Sequence, residues 1–196
     1  MYQLKYLEGQ MIEFGCKPTQ AEWHRIRKNA TERRFKARDP IYDDLGVSER
    51  VFFLSNGVAA SYFNHEEGQV SLTRFFEPGH VATNVHCAFT HKYGRDRVLA
   101  VSEVEGVEFS SQFVLNEYTS SVGAFGRYIR LKIIEALEFE KDLLNCRSLN
   151  NSKTGINFLE TRYKSAMKHA LKKDVAAFLG ITPQAYSRLQ KRRLVS

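Results

Sequence analysis

The stretch KKDVAAFLGITPQAYSRLQK, Lys172 to Lys191, reads as two short helices folded across one another. Val175, Ala176 and Leu179 fall three to four residues apart and share one face of a first helix. Gly180 ends it, since only glycine enters left-handed backbone without a Cβ clash. Thr182 is an N-cap and Pro183 takes the first helical position, where its missing N–H costs nothing, so a second helix restarts at once. Tyr186 and Leu189 supply the buried face of that helix, and small Ala176 lets the pair approach closely. Gln184, Ser187, Arg188 and Lys191 are thereby turned outward. This is the anatomy of a helix-turn-helix, whose second helix enters the DNA major groove. An ordinary helical hairpin in a core needs neither the Gly, cap and Pro in this order nor a basic exposed face.

The charge distribution points the same way. The chain carries +7 overall, but Lys141 to Ser196 holds seven Lys and five Arg against Asp142, Glu160 and Asp174, a net +9. The preceding 140 residues are therefore mildly acidic, at −2. A basic tail on an acidic body suits contact with a phosphate backbone.

With 196 residues, 43% hydrophobic and 26% charged, the chain has the composition of an ordinary globular protein of one or two domains. No apolar run reaches about 18 residues, and the N-terminal MYQLKYLEGQMIEF lacks a basic region followed by an apolar core. A cytoplasmic protein with no membrane contact is the expectation. Cys16, Cys87 and Cys146 are odd in number and far apart, which gives no disulfide framework and no metal-ligand spacing.

Upstream of the basic tail the pattern changes three times. Residues 1 to 17 carry no clear period. TQAEWHRIRKNA then places Ala21, Trp23, Ile26 and Ala30 at helical spacing behind the candidate cap Thr19. Between Arg33 and Phe109 the period shortens toward two. Strands are expected at 33–37, 50–54, 58–63, 70–76, 81–85, 98–101 and 106–109. Turn signals separate them, among them Arg38-Asp39-Pro40, Ser55-Asn56-Gly57 and Glu77-Pro78-Gly79, so the segment reads as a barrel or jelly-roll-like β domain. From Ser110 the period returns to 3.6.

A helix from Ser120 to Cys146 would be about 40 Å long. Phe125, Ile129, Ile133, Ala136, Leu137 and Leu144 line one stripe of it, and Tyr128, Leu131 and Leu143 widen the stripe. Such a helix is apolar over more of its circumference than one surface needs. One flank can pack on the β domain, and the rest is expected to meet the same helix of a second copy. CRSLNNSKTG, Cys146 to Gly155, reads as a linker to a further helix over 156–168.

A helix, a β-roll, a long apolar helix and a C-terminal helix-turn-helix, in that order, resemble the CRP/FNR family of bacterial transcription regulators. The resemblance runs from about residue 19 to residue 194. It is most specific in VAAFLGITPQAYSRLQKRRL, Val175 to Leu194, and in RVFFLSNGVAASYFNHEEGQVSLTRFFEPGHV, Arg50 to Val81, which is similar to the family's cyclic-nucleotide-binding β-roll. It implies an α+β chain with an antiparallel, jelly-roll-like β-roll sensor domain over 1–118, a dimerisation helix and hinge over 119–149, and a DNA-binding domain over 150–196. It also implies a homodimer bound to double-stranded DNA, and RNA polymerase as a further partner.

By the same resemblance Gln184 and Arg188 occupy base-reading positions beside Ser187. Gln pairs bidentately with adenine and Arg with guanine. Thr182, Lys191 and Arg192 complete the DNA-facing set, with the basic residues on phosphates. The family's cyclic-AMP binders hold the ribose with a Gly-Glu pair and the phosphate with an Arg followed by Ser or Thr. Those positions here are Thr83-Asn84 and Gly94-Arg95, so the ribose carboxylate and the aligned arginine are missing. Thr83, Asn84, Arg95 and Arg97 are the candidate pocket residues, with Arg95 or Arg97 as a displaced phosphate ligand, and a response to cyclic AMP is not expected. The chain also stops at Leu194-Val195-Ser196, where family members continue into a β-hairpin wing, so the recognition helix is expected to carry more of the binding.

Neither a P-loop, a Gly-x-Ser-x-Gly elbow nor a His-Glu-x-x-His pair occurs, so no catalytic residue, cofactor or enzyme activity is expected. His80, His86, Cys87 and His91 cluster in the loop that would face the sensor pocket but lack a metal-ligand spacing, and no metal site is expected. The alternative function is a ligand-binding β-roll whose basic helical tail contacts protein. Salt separates the two, because DNA affinity falls steeply with ionic strength.

Overall fold

The structure, a computed structural model, describes residues 2–42, 49–64, 66, 70–83, 96–120, 122–148 and 152–193. Its architecture follows from strands that are buried on both faces. In β3 (Arg50–Asn56), Phe52 and Leu54 point one way and Val51 and Phe53 the other, as the two-residue period of a strand requires, and all four are buried. Phe52 and Leu54 join Ile41, Tyr42, Ala59, Phe76, Val98 and Val104 in a core between two sheets. Val51 and Phe53 join a second core against helices.

The first sheet has the order β1-β8-β3-β6 and comprises β1 (Thr31–Phe35), β8 (Val104–Ser110), β3 and β6 (Val81–Ala82). The second has the order β2-β7-β4-β5 and comprises β2 (Pro40–Tyr42), β7 (Asp96–Ala100), β4 (Ala59–Asn64) and β5 (Val70–Phe76). Every pairing is antiparallel, so the α+β class and the antiparallel roll stand as expected. Gly57 makes the tight β3–β4 turn at φ +86°, with the Glu103 carbonyl so close that a Cβ would lie 2.0 Å from its oxygen.

The outer face of the first sheet is covered by α1 (Tyr2–Glu13), α2 (Gln20–Asn29), α3 (Ser111–Thr119) and the start of α4 (Ala124–Ser148). Thr19 caps α2 in a capping box with Glu22. The Glu22 carboxylate also accepts from the backbone N–H of Ala124 at 2.8 Å, tying the start of α2 to the start of the long helix. These backbone donors hold its carboxyl below the usual range.

The helix expected over 120–146 is α4, which begins four residues later, at Ala124, and runs to Ser148. A turn with Gly123 at φ +140° separates α3 from α4, and α3 folds back so that Glu117's carbonyl oxygen would sit 2.1 Å from a Cβ at Gly126. Residues 2–13, which showed no period in the sequence, form α1 and bury Leu7 and Met11.

The outer face of the second sheet is covered by the C-terminal helices α5 (Ser152–Arg162), α6 (Ala166–His169), α7 (Lys172–Phe178) and α8 (Pro183–Arg193). Val58, Ala60, Leu72 and Phe75 share one core with Ile156, Leu159, Tyr163, Val175, Ala176, Phe178 and Tyr186, and with Phe139 and Leu143 of α4. Phe75 lies 5.5 Å from Tyr163 and 5.6 Å from Phe178 between ring centroids. Opposite Phe75 in the ladder stands Ala60, whose small side chain leaves room for these rings. Where a linker was expected over 146–155, helix already runs through 148 and resumes at 152.

Candidate functional site

Two places gather the residues singled out in the sequence: the α7–α8 pair and a cavity beside α4. In the pair, α7 ends as its sequence implies. Gly180 stands at φ +67°, its N–H donates to Ala177 O at 3.1 Å, and the Ile181 N–H donates to Ala176 O at 3.0 Å. That double bond satisfies two of the free carbonyls at the helix end. Thr182 Oγ1 then accepts from the Ala185 N–H at 3.2 Å and caps α8.

Tyr186 is buried, with its hydroxyl accepting from Gln190 Nε2 at 2.9 Å. Thr182, Gln184 and Arg188 are exposed and Ser187 is half-buried. Lys191 and Arg192 continue the helix, but their side chains lie outside the described residues. The sequence named Val175, Ala176 and Leu179 as the face of α7. The structure instead makes Phe178 its largest buried contribution and leaves Leu179 only partly covered.

The cavity measures about 860 Å³ and runs along α4, between that helix and strands β3 and β5. Of the expected pocket residues, Thr83 lines it, and its hydroxyl donates to Arg50 O at 3.0 Å. Arg97 does not. Its neighbour Asp96 lines the cavity, so strand alternation sends Arg97 to the other face, with its guanidinium 5.9 Å from the Tyr62 ring centroid. Asn84 and Arg95 lie outside the described residues, as do His86, Cys87 and His91. Among the described residues no group of three metal-ligating side chains forms.

Other side chains in the cavity wall were not singled out. Arg74 on β5 pairs with Glu140 of α4 at 3.1 Å, and its guanidinium lies 5.4 Å and 5.1 Å from the Phe76 and Phe139 ring centroids. Lys132 is 7% exposed, pairs with Glu135 and lies 5.0 Å from the Phe14 ring. Both carried a signal: Arg74 interrupts the apolar run of β5, and Lys132 stands four residues after Tyr128 on the inward side of α4.

His80 lies against Phe139 and Tyr163, and its Nδ1 accepts from the Glu77 N–H at 3.0 Å. Burial, then the charges of Arg74 and Lys132, push its imidazole down to about 3. Glu77 itself accepts from the Ala166 N–H at 2.5 Å and so holds the start of α6, while burial raises its carboxyl.

The sign of the pH effect follows. Folded His80 stays neutral while the unfolded chain takes up a proton below about 6.5, so the stability it contributes is complete above that pH and is lost as pH falls toward 3. Between pH 7 and pH 5 the loss is about 2 kcal/mol. The raised carboxyl of Glu77 acts in the opposite sense, so the measurement is a difference. Urea unfolding of wild type and His80→Gln at both pH values should show the gap between them narrowing by about that amount at pH 5.

Along α4, the six residues of the expected dimer stripe divide. Phe125 and Ile129 are buried within the chain: Phe125 lies 5.3 Å from Phe109 and 5.9 Å from Phe113, because α3 folds back over it. These two are therefore not available to a partner. Ala136 is half-buried, and Ile133, Leu137 and Leu144 are exposed, together with Ile134.

No protein-family model and no curated protein matches the sequence. Solved structures do match the fold. FixK2 from Bradyrhizobium japonicum aligns over 83% of this chain and 83% of its own, at 18% identity and a TM-score of 0.66. A regulator of the CRP/FNR family from Eubacterium rectale aligns over 90% and 84%, at 11% identity and a TM-score of 0.65. A cyclic nucleotide-binding domain containing protein from Listeria monocytogenes aligns over 97% and 89%, at 16% identity and a TM-score of 0.64. The chain shares the fold of these three proteins.

Proposed function

We propose that this chain is a DNA-binding transcription regulator of the CRP/FNR type, working as a homodimer and not responsive to cyclic AMP. The observation that carries the reading is the α7–α8 pair, in which a glycine-terminated helix leads through a capped turn to a helix whose exposed face offers Gln184 and Arg188. The +9 charge of the last 56 residues supplies the attraction to phosphates.

In this reading α8 enters the major groove, Gln184 reads adenine and Arg188 guanine, and Thr182, Lys191 and Arg192 hold the backbone. Ser187 is too far inside to reach as deeply. The exposed ridge of Ile133, Ile134, Leu137 and Leu144 meets its counterpart in a second copy, which sets two α8 helices on half-sites about 34 Å apart. Thr83 is the retained position of the sensor pocket. An activator of this type would also present a surface to RNA polymerase.

The test is a mobility-shift selection from genomic fragments, followed by Arg188→Ala on the recovered site. Loss of about 1–3 kcal/mol, or roughly tenfold to a hundredfold, is expected at the cognate site, with little change on unrelated DNA. Wild-type affinity in the variant would refute the base-reading role. An affinity indifferent to salt would instead favour the reading in which the basic tail binds protein.

A further inference from the structure

The cavity beside α4 holds charges that DNA binding leaves unused. Lys132 is 7% exposed and the Arg74 side chain 19%, so both cations sit largely out of water, where an ion is costly to keep without close partners. Their partners compensate only in part. Glu135 and Glu140 are 49% and 47% exposed, so they hold their charges at the solvated edge. The Arg74 guanidinium is held by the rings of Phe76 and Phe139, and its buried Nε has no hydrogen-bond partner. His80 adds a third group. With Nδ1 accepting from Glu77, the proton of the neutral ring is on Nε2, so this cavity-lining side chain is also a donor.

The rest of the wall, including Val51, Phe53, Val81 and Ile129, is apolar, and 860 Å³ is ample for a small organic molecule. We propose that this cavity binds an amphipathic organic monoacid, its carboxylate taken by Arg74 and Lys132 and its hydrocarbon body lying on the apolar wall. The carboxylate replaces Glu140 on Arg74, exchanging a solvated partner for one fully inside, where the same charge pair is stronger.

The edge of the cavity decides against more heavily charged ligands. Asp96, Glu135, Glu138 and Glu140 also line it and outnumber Arg74, Lys132 and Arg162. A multiply charged phosphate would meet net repulsion there, whereas a single carboxylate is neutralised at depth. This inference does not depend on DNA binding, since no residue of the α7–α8 pair lines the cavity.

The experiment is calorimetric titration of the full chain, without DNA, using octanoate and 4-phenylbutyrate, each compared with the alcohol of the same skeleton. Each acid is expected to bind at least about tenfold more tightly than its alcohol, as a charge-assisted hydrogen bond implies. Arg74→Met should abolish that preference while leaving alcohol binding unchanged. Glu140→Gln, at a half-exposed position that does not endanger the fold, should tighten acid binding several-fold because Arg74 is freed. The proposal fails if neither acid outbinds its alcohol, if the preference survives in Arg74→Met, or if Glu140→Gln weakens acid binding or leaves it unchanged.

Discussion

Replacing Phe178 with alanine is expected to lower the unfolding free energy by about 3–5 kcal/mol, the range for removing a buried aromatic ring from a packed core. Phe178 is 3% exposed and stands 5.6 Å from Phe75 and 5.8 Å from Tyr163, so the space it leaves is walled by rings that cannot collapse inward. One partner belongs to β5 and the other to the segment after α5. The damage therefore reaches the roll as well as the C-terminal helices. Trp23, the only tryptophan, packs on the far side of the molecule in the core of α1 to α4. Its fluorescence and the far-ultraviolet circular dichroism should shift together in urea, as one transition. Two separated transitions would show that the C-terminal helices unfold on their own.

Leu137→Glu is expected to convert the proposed homodimer to monomer without touching the fold. Leu137 is 65% exposed within one chain, so a carboxylate there costs the protomer almost nothing. At a two-fold interface the change occurs twice. Each copy loses roughly 1.5–3 kcal/mol of leucine burial, with the cost of a charge in an apolar contact added, so the dissociation constant should rise by at least about a thousandfold. Sedimentation equilibrium checks this, with circular dichroism as the control on folding. An unchanged dissociation constant would remove the α4 ridge from the interface.

The C-terminal pair was the most legible part of the molecule, because its signals are local. A glycine at positive φ, a threonine cap and a proline at the first position each act through the nearest few residues, and Gly180, Thr182 and Pro183 stand where that logic puts them. The β-roll was legible for a similar reason, with 70–76 matching β5 to the residue. Strand β2 was read as a turn because Pro40 looks like punctuation. It is the first residue of an edge strand, where a missing N–H is tolerated.

What escaped the sequence depends on distant neighbours. Phe125 and Ile129 share the period of Ile133 and Leu137, and nothing in that period tells that α3 will fold back over the first two alone. Strand alternation could have separated Arg97 from Asp96, given one fixed point in β7. Arg74 and Lys132 were visible as cations at apolar positions, but only the fold brings them to one cavity.

The short turn after β5 belongs to both sites at once. Glu77 holds the first N–H of α6, and three residues on His80 stands in the cavity wall against Tyr163. A molecule that shifts this turn from inside the cavity disturbs the hold of Glu77 on α6, the helix that leads into the α7–α8 pair. Thermodynamic reciprocity then fixes a quantity that neither site reveals alone: whatever factor an occupied cavity imposes on affinity for an operator, the operator must impose on affinity for the acid. Titrating the acid with and without duplex would therefore weigh the communication between the two ends of the protein, in a single number that both experiments must share.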